Sequence, residues 1–172
     1  VNLRTAGASL AGISALSSTT RIGDSEDPLV AEVTIADGVE LTVEAPENSD
    51  EPSVLSIQAF AETKAYDQIN ITTVSGMSIN VAVADLDSDT DAKVTIGDST
   101  IANNSGDVHI NTRSRSSLNG SASSMIASKL SALAVSDVRG DATVDNEIQL
   151  MGTRVTGDDI YIQAGRDRTG NV

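Results

Sequence analysis

Short segments of this chain alternate apolar and polar residues with a period of two, the mark of strands that bury one face. Ala31, Val33 and Ile35 alternate with Glu32 and Thr34. After the turn signal Asp37-Gly38, Val39, Leu41, Val43 and Ala45 alternate with Glu40, Thr42 and Glu44. The same two-strand phrase returns as AKVTIGDSTIANNSGDVHINT, where Ala92, Val94, Ile96, Val108 and Ile110 take the inward places. It returns again as EIQLMGTRVTGDDIYIQA, with Ile148, Leu150, Val155, Ile160, Ile162 and Ala164 inward.

A second phrase precedes each of these, ISALSS at 13–18, INVAVADLD at 79–87 and SALAVSDV at 131–138, each ending in what reads as a polar turn. The opening VNLRTAG matches the closing half of the first phrase. Taking Val1, Val39, Val108 and Ile160 as equivalent points, the spacings are 38, 69 and 52 residues. The chain therefore reads as one segment, 1–172, of repeats of variable length: 1–38, 39–107, 108–159 and the start of another at 160–172. The extra length falls between the closing strand and the next preparatory phrase, where a stacked core leaves one surface free to vary.

Short strands separated by Gly, Asp, Asn and Ser turns, in repeating order, predict an all-β fold, a parallel β-solenoid (β-helix) with irregular coil insertions. The alternative is an antiparallel β-sandwich, which also shows short strands at turn-marked intervals but has no reason to repeat its own phrase. Composition fits the narrow core of a solenoid: Phe60, Tyr66 and Tyr161 are the only aromatics, so the interior must be built from Val, Ile, Leu and Ala. One segment departs from period two. Met125, Ile126, Leu130 and Leu133 lie near one helical face, so a short helical insertion is expected over 121–130, with strand from Leu133 onward.

At 39% hydrophobic residues the chain folds despite a net charge of −14. With 25 acidic groups against 11 basic ones it would repel nucleic acid, which demands a stripe of Lys and Arg. The nearest candidates, Arg113 with Arg115 and Arg166 with Arg168, are solvated loop charges on this reading. No cysteine is present, so burial and backbone pairing alone hold the fold. No apolar run is long enough for a membrane span, and the first residue is Val, as in the interior of a longer chain.

The chemistry-bearing residues are few. His109, the only histidine, lies between Val108 and Ile110 and so points outward on a strand; no paired-His zinc site can form within one chain. There is no GxSxG and no Gly-rich phosphate loop. Asn70, Asn103 and Asn119 open N-x-S/T triplets, which arise by chance in a Ser/Thr-rich chain. The sharpest signal is Asp85, Asp87, Asp89 and Asp91, four acids at alternate positions before a strand. Alternate oxygens of one loop suit calcium, and these four are the candidate metal ligands. The competing reading is a solvated acidic turn, since the loop lacks the EF-hand glycine and terminal Glu. Asp24, Glu26 and Asp27, and Asp137, Asp141 and Asp145, hold comparable places in the other copies, so stacking in register would build one acidic edge.

The segments AEVTIADGVELTVEA, DAKVTIGDSTIANNSGDVHINT and TRVTGDDIYIQAGR, together with LSIQAFAETKA and INVAVAD, resemble the giant Ala- and Ser-rich β-helical surface proteins of bacteria. These are the filamentous-haemagglutinin-like and leukotoxin-type filamentous adhesins. The likeness covers nearly the whole chain, which departs from the pattern in lacking the Gly-Gly pair that often opens the closing strand. The resemblance implies an extracellular, cell-surface location and a structural or adhesive segment of a long fibre with no catalytic site. The alternative function is a carbohydrate-active β-helix enzyme, which would need converging carboxylates and aromatic sugar platforms. Neither terminal phrase breaks the repeat, so self-association or continuation of the chain end to end is expected, with glycan or cell-surface contact as the further partner.

Overall fold

The structure, a computed structural model, describes residues 2–44 and 52–166, the side chains of residues 9, 10 and 129 excepted. Val1, Ala45 and Arg168, which figure in the sequence reading, lie outside the described residues. The described chain is all-β, with eight strands: β1 Asn2–Ile22, β2 Leu29–Ile35, β3 Glu40–Val43, β4 Ser53–Ile96, β5 Thr100–Asn103, β6 Gly106–Leu150, β7 Arg154–Thr156 and β8 Ile160–Ala164. One sheet runs β1-β4-β6-β8 with β2 also on β4; a second runs β3-β5-β7. Every pairing of defined register is parallel, against the antiparallel alternative. The chain divides into two compact units.

The first unit comprises Val1–Pro28, Thr63–Asp89 and Ser116–Thr143. Leu3 lies beside Ile69, Ile13 beside Ile79 and Leu16 beside Ala82, so successive passages of chain stack like over like. Its core is Ala65, Ile69, Ile71, Ala82, Ala84 and Leu86, flanked by Leu3, Leu16, Ile22, Leu118 and Ala122. Small residues are needed here. A Cβ on Gly120 would come within 2.5 Å of Val138 and 2.7 Å of Leu86. Buried polar groups pair within the same space, Thr63 with Ser88 at 3.0 Å and the Thr73 hydroxyl donating to Asn80 at 3.1 Å. Among the described residues, Asp67 is fully buried with neither carboxylate oxygen bonded, and the Ser78 hydroxyl and the Asn80 amide nitrogen are buried without a partner as well.

The second unit comprises Leu29–Glu62, Thr90–Arg115 and Val144–Val172. Ala31, Val33 and Ile35 pair with Ala92, Val94 and Ile96, which are the equivalences read from the repeated phrase. Leu41 lies beside Ile101 and Ile101 beside Val155, so Val39 stands at the rung of Ser99 and Thr100 and is not the equivalent of Val108 and Ile160 that the repeat spacing made it. Ile57, Ala59, Ala61, Ala92, Val94, Ile96, Ile101, Val108 and Ile110 form the core. At the corner between the sheets, Gly38 takes a φ of 75°, open to glycine at no steric cost. The amide of Asp98 donates to the Asp37 carboxylate at 2.8 Å, and the Thr153 hydroxyl donates to the Gly97 carbonyl at 2.9 Å, tying three turns together. Asn103, buried at the next corner, donates to the carbonyls of Ser53 and Asp107 and accepts from the Ser53 hydroxyl at 2.7 Å.

Several expectations change. Residues 121–130 are strand within β6, not helix; the ladder with β4 satisfies their backbone, and tertiary pairing overrides the helical spacing of Met125 to Leu133. The polar ends of the second phrases are not turns either, because β1, β4 and β6 run straight through them. Outward acids need no turn, since alternate side chains of a strand reach water with the backbone still paired. Ile160 and Ile162 do take the rungs of Val108 and Ile110, but are 44% and 47% exposed, since β8 ends the sheet order.

Candidate functional site

The four acids Asp85, Asp87, Asp89 and Asp91 are successive outward positions of β4, alternating with the buried Leu86, Ser88 and Thr90. Spaced two residues apart on an extended strand, neighbouring carboxylates stand about 6.6 Å apart along the chain, so they line a strand rather than wrap a point. Arg21 on the adjoining β1 rung holds Asp87 at 3.2 Å. Arg139 similarly pairs with Asp137 at 2.9 Å, and Lys93 with Glu147 at 3.0 Å. Asp24 closes a turn after β1, accepting from the amides of Glu26 and Asp27 at 2.9 and 3.0 Å, which holds its carboxyl below the usual range. Lys93, and then Gln149, hold Glu147 below its ordinary value in the same way. The expected acidic edge is thus interleaved with cations. Among the described residues no three metal-ligating side chains stand close enough to share an ion.

His109 points outward on β6, as its place between Val108 and Ile110 requires, and stacks on Tyr161 of the adjoining rung with ring centres 4.6 Å apart. The Tyr161 hydroxyl donates to Asp159 at 3.4 Å; the charges of Asp159 and, less strongly, Asp107 raise its pKa above the ordinary 10.0. Two residues along the same strand pair, Asn111 donates to Gln163 at 3.3 Å. Arg113 lies over the Phe60 ring, 5.6 Å from its centre. These rings stack along the ladder direction, side chain on side chain.

The largest feature that sequence reasoning missed is apolar. In the first unit the second phrases turn their large residues outward. On β4, Ala82 and Ala84 are buried while Met77, Ile79, Val81 and Val83 face away from the core. On β1 the rung partners of Met77, Ile79 and Val81 are Ala11, Ile13 and Ala15. On β6, Ser131 meets the same surface, and Leu133 and Val135 follow on its face. Ile13 is 78% and Leu133 55% exposed. A hollow of about 480 Å³ opens among Ala11, Ile13, Met77, Ile79 and Ser131. The signal was present in the repetition of ISALSS, INVAVADLD and SALAVSDV; alternation alone does not say which of Ala or Val turns inward.

Acids border this apolar stripe on one side only. Asp85 and Asp87 follow Val83 on β4, and Asp137 and Asp141 follow Val135 on β6. On the other side β4 folds back at Gly76, where Thr73 meets Asn80 across the core, so Asn70, Thr72 and Val74, beside Arg4, Ala6 and Ala8 of β1, lie on the opposite wall. Compared with known proteins, the chain matches no family model, no curated protein and no solved structure.

Proposed function

We propose that this chain is a structural or adhesive segment of a long extracellular surface fibre: a parallel β-solenoid whose coils stack end to end and which carries no catalytic site. The observation behind this reading is the rung-by-rung register of successive passages of chain, Ala31 on Ala92, Val33 on Val94 and Val108 on Ile160, with no reversal of direction. The edge strands support it. β1 and β8 end the sheet order, and each has a single hydrogen-bonded neighbour among the described residues. Such edges are templates for further parallel pairing, with the next stretch of chain or with another copy. The resemblance to filamentous adhesins points to the same role at the cell surface. A carbohydrate-active enzyme would converge its carboxylates in a cleft, whereas Asp87, Asp137 and Glu147 pair with neighbouring cations.

Immunogold labelling of intact source cells with antibody to this chain, viewed by electron microscopy, tests the reading. Gold along surface filaments is the expected result. Label confined to the cell interior, or to compact surface particles, would overturn it.

A further inference from the structure

We propose that the first unit binds a second copy of this chain head to tail, β1 of one copy pairing in parallel along the open edge of β6 of the other. The proposal rests on the fibre reading, for which it names the partner and the register of one strand edge.

In the first unit three passages of chain lie side by side, with β4 between β1 and β6. β8 pairs with β6 only over Val108–Thr112. From Ser116 to Thr143 the far edge of β6 therefore has no strand partner among the described residues, and neither has the far edge of β1. Unpaired N–H and C=O groups along such edges are templates for a further strand. Val138 shows the effect on packing: it meets the Gly120 position inside the coil, yet is 45% exposed because no layer lies on it.

The register follows from the passages already stacked. Ser9 and Ala11 pair with Ser75 and Met77, on either side of the fold-back at Gly76. The Ser128 hydroxyl donates to the Gly76 carbonyl at 2.7 Å, and Ser131 meets Met77, so β6 folds back at the same place. A further β1 laid on β6 with its fold-back aligned sets Leu3 beside Ala122, Gly7 beside Ile126, Leu16 beside Ser136 and Ser18 beside Val138 on the inward side. Each rung then matches a large side chain with a small one, as Leu16 with Ala82 and Ile22 with Ser88 do within the chain.

Charge selects a second copy as the occupant. β1 carries Arg4 and Arg21 and no acid, in a chain of 25 acidic and 11 basic residues. Arg21 holds Asp87 on the neighbouring rung at 3.2 Å. In the aligned register Arg21 of the second copy stands beside Asp141 of the first, so each such arginine lies between two carboxylates. Two β1 edges set together would oppose their arginines instead. A head-to-tail contact of this kind repeats without closing and builds a filament.

Mixing two single-cysteine variants, Ala15→Cys and Val135→Cys, at up to about 0.2 mM to cover weak affinities, tests the proposal under mild oxidation. Both positions are exposed, and an unchanged far-ultraviolet spectrum shows that each variant folds. In the aligned register their Cα atoms stand about 4.8 Å apart, within the range a disulfide spans. The expected result is a linked pair formed about tenfold more than from Thr19→Cys mixed with Val135→Cys, which are four residues out of register. Adding Asp141→Lys to the Val135→Cys chain should lower the yield severalfold. No linked pair at any concentration, an equal yield from the displaced mixture, or a yield undiminished by Asp141→Lys would overturn the proposal. None of these outcomes bears on the labelling of surface filaments, which tests the fibre reading by itself.

Discussion

Val94 stands on the same rung as Val33, side by side in a parallel ladder, and two residues on Ile96 stands beside Ile35 in the same way. Val94 and Ile96 are fully buried at the centre of the second unit's core, with Val33 and Ile35 packed against it. Ile96→Ala is therefore expected to cost about 2–5 kcal/mol, the removed methyl groups plus the cavity they leave. Ile96→Asp, which buries an unpaired charge, is expected to unfold at least the second unit. Urea denaturation followed by circular dichroism checks both, and an Ile96→Asp protein with an unaltered midpoint would contradict the placement of this residue.

Asp67 is expected to be a liability. Its carboxylate is fully buried and neither oxygen is hydrogen-bonded, and an unpaired buried charge opposes folding. Asp67→Asn keeps the shape and removes the charge. It should stabilise by about 1 kcal/mol or more, roughly 2–4 °C in melting midpoint for a chain of this size. A lower midpoint in calorimetry would mean that the charged carboxylate contributes favourably.

Much of the strand pattern could be read before the structure. The pairs Ala31 with Ala92 and Val108 with Ile160 follow from the repeated phrase, because a parallel ladder sets like residues side by side, and the inward places of Val94, Ile96, Val108 and Ile110 follow from period two. The lengths of β4 and β6 do not follow. Asp85 to Asp91 read as a turn because Asp favours turns, yet a strand with one wet face holds alternate acids equally well once its neighbours supply Arg21 and Lys93. The apolar stripe was hidden for another reason. In INVAVAD either Ala or Val could face inward, and the chain folds back at Gly76, where Thr73 meets Asn80 across the core, so that Val74 and Met77 are both exposed on opposite walls. The Ser75-Gly76 dipeptide is the local mark of that fold-back.

Acid should weaken the fold through groups that can be named. The carboxyls of Asp24 and Glu147 are held below their ordinary 3.8 and 4.5, the first by the amides of Glu26 and Asp27, the second by Lys93 and Gln149. With a depressed folded-state pKa the unfolded chain takes up protons first. The stability these groups give is complete above the ordinary values and is lost as pH falls through them into the folded-state range. Both carboxyls meet water, so each effect is small. Comparing the wild-type chain with Glu147→Gln isolates it: the variant's urea midpoint should fall less between about pH 6 and pH 3. Equal declines would show that the Lys93–Glu147 pair adds nothing.

Parallel, in-register stacking of successive passages is the claim on which the fibre reading stands, and cysteine pairing measures it directly. The chain has no cysteine of its own. Thr34 of β2 and Thr95 of β4 share a rung and face outward, so their Cα atoms stand about 4.8 Å apart, within the range a disulfide spans. The double variant Thr34→Cys, Thr95→Cys should close one intramolecular disulfide under mild oxidation in native buffer and not in denaturant. The displaced pair Thr42→Cys, Thr95→Cys should stay reduced. A native Thr34→Cys, Thr95→Cys protein that keeps two free thiols, or a displaced pair that closes as readily, would contradict the register and the stacked architecture with it.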